Sequence, residues 1–255
     1  MIQAIDRAAK VLALLQGARH LGITDLAAAL DLPPSTVHGI VSSLREHGLV
    51  AQERGGQRYM LGPTLLALSN VYLDTLDVRS RAMRWTQDLA RRTGMAVRLG
   101  APHFNDVLVI HHVLRPDEGP QMLETGMAVP AHASAMGKVL LAHDPLFQRS
   151  VFATGLRSLT GDTVTDPVAL AALLPGIAEH GFAAEIDEAV LGESSLAAPV
   201  SDARDDIVAA VAVVFPTADG PAPDSVLHAL RDAARNISRE LGAASWPPPV
   251  APAEP

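Results

Sequence analysis

The sequence of 255 residues contains no cysteine. This absence excludes a disulfide framework and any zinc site built on cysteine thiolates. Long apolar runs are also missing, and Asp6, Arg7 and Lys10 interrupt the apolar residues of the N-terminus. We therefore expect no transmembrane segment, no signal peptide and a cytoplasmic protein. Hydrophobic residues nevertheless make up 48% of the chain and charged residues 19%, which is sufficient for packed cores and excludes a disordered chain.

Basic residues are fewer than acidic ones: 20 lysines and arginines against 28 aspartates and glutamates give a formal net charge of -8 at pH 7. The charge is unevenly distributed: residues 1–62 sum to +1 and the remainder to -9. The length suits about two domains, so the chain divides into a near-neutral first part and an acidic second part. The weak positive charge of the first part argues against tight DNA binding by a monomer, and a dimer would double the phosphate contacts.

A helix-turn-helix pattern lies between Ile23 and Gly48. Apolar residues at helical spacing predict a short first helix, which Thr24 caps and which Pro33 and Pro34 end. Pro34 begins a second helix, and Gly48 ends it. The polar face of this second helix carries small side chains that allow close approach to a DNA major groove. Its predicted DNA-binding residues are Ser35, Thr36, His38, Gly39, Ser42, Ser43 and Arg45.

A hairpin follows this second helix, from Leu49 to Leu61. Gly55 and Gly56 are predicted to form a two-residue turn with positive φ at both positions. Arg54 and Arg58 then lie near the tip, where a guanidinium suits DNA phosphate or the minor groove. The whole pattern predicts a winged helix-turn-helix DNA-binding domain over residues 1–62. The alternatives are a protein-interaction module of the same shape and arginines that are merely solvated.

Further helices flank the two elements of this motif. The first, roughly Ile2 to Gln16, is expected to pack Ile5, Ala9 and Leu12 against them. After the hairpin, residues 63–78 are predicted to form a linker helix whose apolar stripe must be buried, often on a second copy of the chain. Core packing within one continuous domain is the alternative.

Residues 79–244 combine short β-branched segments with amphipathic helices. Strands are predicted at Met95–Gly100, Val107–Val113, Phe182–Asp187, Ser194–Val200 and Ile207–Phe215, and helices at Ser134–His143, after Pro145, at Val168–His180 and at Asp224–Leu241. This mixture predicts an α+β fold with an antiparallel sheet. The proline-rich residues 245–255 are predicted to be a disordered tail.

Several segments resemble the IclR family of bacterial transcriptional regulators, and the resemblance spans nearly the whole chain. They are Pro34–His38, the end of the hairpin at Arg58–Gly62, and His132–Ala142. The resemblance implies a winged helix-turn-helix joined by a linker helix to a GAF-like antiparallel α/β effector-binding domain. It also implies a repressor that binds double-stranded operator DNA as a homodimer or homotetramer and responds to a small-molecule effector.

Other segments look most like actinomycete glycerol-operon regulators of that family. They are His38–Ile40, Tyr72–Asp74, Trp85–Arg91 and His111–Asp117. This narrower resemblance implies glycerol or glycerol 3-phosphate as effector. Two positions depart from the family pattern: Gly39 stands where arginine is common, and Asp31 where glycine is common. The first suggests an altered base preference, and the second is tolerable because aspartate visits left-handed backbone conformations.

The resemblance also implies where the effector binds. At the helix that starts near Ser134, Ala135 and Met136 would offer backbone amides to a small effector. Glu185 and Ser195 align with a polar pair of regulators that bind 2-oxo acids, and Ala212 and Val214 replace serines of those regulators. Losing those hydroxyls argues against a 2-oxo acid effector. The predicted effector-binding residues are His112, Ala135, Met136, Glu185, Ser195, Ala212 and Val214. The alternative for Glu185 and Ser195 is that they are ordinary exposed strand positions.

The histidines raise the alternative of an enzyme fused to a DNA-binding domain. His111 and His112 adjoin in a predicted strand, so their side chains point to opposite faces and cannot bind one metal. A site made of His112, His132 and Asp117 has no supporting metal-ligand spacing. No complete phosphate-binding P-loop or nucleophile elbow is present either. We expect no catalytic residue, no metal and no cofactor.

Overall fold

The computed structural model describes residues 2–116 and 121–247. They form two compact units, of which the first ends at Thr75 and the second begins at Leu76. The first unit contains α1 (Gln3–Ala18), β1 (Leu21–Gly22), α2 (Ile23–Leu30), α3 (Pro34–Glu46), β2 (Val50–Gln52), β3 (Arg58–Leu61) and α4 (Thr64–Asp74). Helices α2 and α3 with the β2–β3 hairpin confirm the winged helix-turn-helix. The predicted linker helix corresponds to α4, which ends before residue 78.

Helix α1 buries a different face from the one predicted. Val11 and Leu15 are fully buried in the core of this unit, whereas Ile5 is 65% exposed. The predicted packing face was therefore wrong for Ile5 and Ala9, which are exposed, whereas Leu12 is partly buried against this core as predicted. The most buried residues are offset from the predicted ones by about one position in the sequence, which is roughly 100° around the helix axis. Alanines on several sides of α1 make its apolar faces hard to distinguish from sequence.

The ends of α2 and α3 follow backbone geometry. Thr24 was predicted to cap α2 but lies within it: Gly22 is the N-cap, and its N–H donates to the Asp25 carboxylate at 3.0 Å. At the other end Asp31 adopts φ +52°, which confirms that aspartate accepts the left-handed conformation there. Pro34 occupies the first turn of α3, as predicted.

The wing loop is longer than predicted. Gly55 has φ +76°, but Gly56 does not have positive φ. The Glu53 N–H donates to the Arg58 carbonyl at 2.9 Å, and the Gly56 N–H donates to the Glu53 carbonyl at 3.2 Å. Five residues, 53–57, therefore connect β2 and β3, and the predicted two-residue turn was wrong.

The second unit is built on an antiparallel sheet with the strand order β6-β5-β4-β9-β8-β7. Its elements are α5 (Asp77–Thr93), β4 (Ala96–His103), β5 (Asp106–Val113), β6 (Ala128–Pro130), a 3-10 turn (Ala131–Ala133), α6 (Ala135–His143), α7 (Pro145–Ala153), α8 (Pro167–His180), β7 (Ala183–Ile186), β8 (Glu193–Ser201), β9 (Ile207–Pro216), a second 3-10 turn (Thr217–Asp219) and α9 (Asp224–Glu240). The predicted strands and helices are found with shifts of a few residues. Strand β6, three residues long, was not predicted.

Helices cover the sheet and position the residues discussed below. Helices α5 and α9 pack against each other; α5 also packs on β4, and α9 on β8. Helix α6 packs on β7, β8 and β9. A Cβ at Gly100 of β4 would overlap the Val107 side chain of β5 and lie 3.0 Å from the sulfur of Met136 of α6, so this position favours glycine. Among the described residues, no helix has the length and hydropathy required to cross a bilayer.

The C-terminal segment contacts the second unit where disorder was predicted. The Trp246 indole N–H donates to the Pro199 carbonyl at 2.9 Å, and the Arg235 guanidinium lies 5.8 Å from the centre of its ring. Disorder from residue 245 was therefore wrong for this part of the tail. Residues 248–255, to which the same prediction extends, lie outside the described residues.

Candidate DNA-binding surface and effector site

Helix α3 separates an apolar face from a polar one. Val37, Val41 and Leu44 are buried against the other helices of the first unit. The rest of the helix surface presents the seven residues of α3 that were predicted to bind DNA: Ser35, His38, Gly39, Ser43 and Arg45 are exposed, and Thr36 and Ser42 are partly exposed. At Gly39 a Cβ would meet nothing within 4 Å, so this position leaves a gap on the exposed face.

A chain of hydrogen bonds joins α3 to the wing. The Arg45 guanidinium donates to the Gln52 side-chain oxygen at 3.1 Å, and the Gln52 amide nitrogen donates to the Gly56 carbonyl at 3.1 Å. Arg54 and Arg58 lie on either side of the loop tip, and both are exposed. The polar face of α3 and the basic wing are thus fixed relative to each other.

The start of α6 is tightly packed. Ser134 caps the helix by accepting a hydrogen bond from the Gly137 N–H at 3.1 Å. A Cβ at Gly137 would lie 2.0 Å from the Ala131 carbonyl oxygen, so only glycine fits there. Ala135 and Met136, whose backbone amides were predicted to face an effector, are both buried in the core under the sheet.

Glu185 and Ser195 form a buried pair on neighbouring strands. They are 4% and 6% exposed, so the alternative that they are exposed strand positions is wrong. One Glu185 oxygen accepts the Ser195 hydroxyl at 2.8 Å. The other accepts the backbone N–H groups of Glu188 at 2.9 Å and Ala189 at 3.3 Å. Glu185 therefore anchors the loop that follows β7.

This carboxyl group should make stability depend on pH. Burial raises the pKa of Glu185 although its hydrogen bonds oppose the shift. A raised pKa in the folded state means that folding takes up a proton, so this stabilisation is present at low pH and is lost as the pH rises through the folded pKa. We expect the free energy of unfolding of the wild type, relative to Glu185→Gln, to decrease as the pH rises above the ordinary pKa of a glutamate. Urea titrations at several pH values measure this difference, and a constant or rising difference would contradict the assignment.

A very small cavity surrounds this pair. Its volume is about 10 Å³, which is close to the space needed by one water molecule. Five of the seven predicted effector residues line it: Met136, Glu185, Ser195, Ala212 and Val214. The other two do not: Ala135 packs in the core, and His112 lines an adjoining cavity.

Arg98 lies on β4 directly opposite His112 and Ala212 in the sheet. Its guanidinium donates to both oxygens of Glu193, at 2.7 and 2.9 Å, and to both oxygens of Glu124, one of them at 2.9 Å. Burial alone would lower the pKa of Arg98, but the hydrogen bonds and charges of these carboxylates outweigh it and raise the pKa. Arg98 is therefore a permanent cation held between two carboxylates.

A larger cavity of about 280 Å³ adjoins the small one. Arg98, Glu193 and Val214 line both cavities. His112 lines the larger one and is 8% exposed. Its Nδ1 accepts the Glu124 backbone N–H at 3.1 Å, and its Nε2 has no hydrogen-bond partner among the described residues. Burial is the main cause that lowers the pKa of His112, so the ring is neutral.

The histidines do not assemble around a common point. His111 lies near Arg79 of α5, whereas His112 lies near Glu124 and Arg98, which confirms that the two rings point to opposite faces. His132 Nε2 lies 2.9 Å from the Arg157 carbonyl oxygen. In residues 2–116 and 121–247 no group of three acidic or histidine side chains is placed to hold a metal ion. Asp117, the third member of the metal site considered above, lies outside those residues.

Comparison with known families identifies both units. Residues 4–54 match the IclR helix-turn-helix domain, and residues 70–239 match the bacterial transcriptional regulator IclR C-terminal domain. The chain belongs to the IclR family. As an IclR regulator it is a DNA-binding transcriptional regulator with a metabolite-binding C-terminal domain.

Relatives within the IclR family extend over nearly the whole chain. A glycerol operon regulatory protein of Streptomyces griseus is 44% identical over 247 residues, covering 95% of this chain and 97% of that protein. The protein of the same name from Streptomyces coelicolor is 40% identical with the same coverage. Among solved structures, an IclR homolog from Microbacterium hydrocarbonoxydans complexed with 4-hydroxybenzoate has a TM-score of 0.80 and 25% identity, covering 94% of this chain and 99% of that one.

Sequence reasoning missed four polar residues of this IclR chain. Gln52 follows α3 closely in sequence, and its position just before the wing loop was the available signal. Arg98 also had a signal, because it is a charge within the apolar strand Ala96–Gly100. Glu124 and Glu193 had none, since they lie 26 and 95 residues from Arg98 along the chain.

Proposed function

We propose that this protein is a repressor that binds operator DNA as a homodimer or homotetramer and is controlled by glycerol or glycerol 3-phosphate. The observation that carries the DNA-binding part is the polar face of α3, tied through Arg45 and Gln52 to the wing. The identity of 44% with a glycerol operon regulatory protein supports the choice of effector. The proposal assigns no reaction to the chain, and it places the protein with its DNA target in the cytoplasm.

The exposed surface of α4 supports the oligomeric part of the proposal. Leu68, Val71 and Tyr72 lie on one side of this helix and are 57%, 68% and 50% exposed. A contiguous exposed apolar patch of this kind marks an interaction surface. Two recognition helices must also be held at a fixed separation to read two half-sites. A second copy of the chain, packed on α4, would meet both requirements.

We expect Val71→Glu to dissociate the oligomer, because it places a charge in this apolar interface. Sedimentation velocity over a concentration series measures the effect. Asn70→Glu is the matched control, since it adds the same charge on the opposite side of α4. An unchanged mass for Val71→Glu would remove α4 from the interface.

Fluorescence anisotropy tests the proposed function. The purified protein is titrated, at fixed salt, onto the DNA upstream of its own gene and onto a scrambled duplex, with and without glycerol or glycerol 3-phosphate. Specific binding that either ligand weakens is the expected result, because a ligand changes DNA affinity only through its preference for one conformation. Specific binding without any ligand response would discard these effectors and retain the regulator. If neither that DNA nor other segments of the genome are bound specifically, the repressor proposal fails.

A further inference from the structure

The small cavity around Glu185 and Ser195, called the Glu185 chamber below, has little capacity for a ligand. Its volume is about 10 Å³. Both oxygens of Glu185 already accept hydrogen bonds, and the Ser195 hydroxyl donates one of them. A ligand with several heavy atoms would have to displace side chains, because the space holds about one water molecule.

The larger cavity on the other side of Arg98 offers both space and unused hydrogen-bonding groups. Its volume is about 280 Å³. Glu124 and Glu193 line it, and each of their four carboxylate oxygens accepts a hydrogen bond from Arg98. An ionised carboxylate oxygen can accept more than one hydrogen bond, so acceptor capacity remains for donors of a ligand.

His112 supplies the complementary donor. Its Nδ1 accepts a hydrogen bond from the Glu124 N–H, so in the neutral ring the proton is on Nε2. That N–H is buried and has no partner among the described residues. Buried donors without a partner are rare in proteins and require an explanation, and an acceptor atom from a ligand would provide one.

Arg98 orients the site and does not act as a free anion clamp. Four of its five N–H groups are directed at Glu124 and Glu193. The inner wall therefore presents mainly acceptors together with one histidine donor, and a hydroxyl group matches both because it donates and accepts. A phosphate ester of the same polyol retains hydroxyl groups, so the chemistry shared by the two ligands is the hydroxyl group.

We propose that this larger cavity is a polyol-binding site, in which His112 Nε2 donates to one ligand hydroxyl oxygen while Glu124 and Glu193 accept from ligand hydroxyls. The proposal rests on the proposed function in taking the ligand to be the effector. It moves the predicted effector site from the Glu185 chamber to the neighbouring cavity, which His112 and Val214 of the predicted effector residues line.

Calorimetric titration of the full chain with glycerol, and separately with glycerol 3-phosphate, tests the site. We expect the wild type to bind at least one of them, and His112→Phe to bind it about tenfold more weakly because the donor is lost. His112→Gln keeps an acceptor for the Glu124 N–H and a donor, and should restore part of the affinity. Ser195→Ala in the small chamber and His111→Phe on the other sheet face are controls expected to stay within twofold of the wild type.

Three results would overturn the proposal: no binding of either polyol to the wild type, unchanged binding by His112→Phe, or loss of binding in Ser195→Ala alone. A preference between the two ligands distinguishes the free polyol from its phosphate ester. Melting curves of each variant exclude unfolding as the cause. Operator titrations of the same proteins are a separate measurement. Failure of the wild type to bind DNA specifically would count against the repressor proposal. It would not change what the polyol titrations show about the cavity.

Discussion

Arg98→Ala is expected to lower the free energy of unfolding by about 3 kcal/mol. The substitution leaves Glu124 and Glu193 facing each other without the cation between them, and their side chains are only 23% and 26% exposed. Removing one member of a buried ionic cluster costs more than the cluster contributes, because the remaining charges stay desolvated and unpaired. Chemical denaturation at neutral pH measures the change.

A surface pair provides the control for this prediction. Arg204 lies 4.0 Å from Asp202 and its side chain is 84% exposed, so Arg204→Ala should be close to neutral. Combining Arg98→Met with Glu124→Gln and Glu193→Gln removes all three charges and should recover much of the lost stability. If Arg98→Ala were no more harmful than Arg204→Ala, the cluster would not have the structural role assigned to it.

Arg45→Ala is expected to weaken operator binding about tenfold and, because each of the two subunits of a bound dimer loses one phosphate contact, to reduce the slope of log affinity against log salt by about 2. Its guanidinium lies on the exposed face of α3, where it can neutralise one phosphate per subunit. Its hydrogen bond to Gln52 also fixes the wing, so the substitution removes a charge and a positional constraint together. Anisotropy titrations at several salt concentrations provide both quantities.

Gln52→Ala separates these two contributions. It breaks the connection between α3 and the wing while leaving Arg45 charged, so affinity should fall without a change in salt slope. Arg81→Ala, which removes an exposed charge from the second unit, should change neither. An unaltered affinity and salt slope in Arg45→Ala would exclude its phosphate contact.

The sequence predicts best those features that are encoded locally. Pro34 and Gly48 mark the start and the end of one helix, and the structure has α3 between them. The order of strands and helices in the second unit follows from periodicity in the same way. Prediction failed where several local solutions were comparable, as in α1, whose alanines allow more than one buried face, and in the wing, where two glycines also fit a longer loop.

The candidate effector site shows the other limit of prediction. Its polar groups come from Arg98, Glu124 and Glu193, which meet only after β4 and β8 have been brought together through β9. Resemblance found residues of the small chamber because they occupy corresponding positions on strands. It did not indicate how little space the folded chain leaves between them, since volume depends on all the surrounding side chains at once.

The arrangement of the two cavities has a consequence for how the ligand of such a regulator can change during evolution. Arg98, Glu193 and Val214 separate a chamber of about 10 Å³ from one of about 280 Å³. Two of these residues are held by the ionic cluster, whereas Val214 contributes only an apolar side chain on a central strand. Shortening that one side chain would lengthen the accessible space without disturbing the charges, so the length of the molecule that is sensed can drift while the scaffold and the DNA-reading domain stay the same.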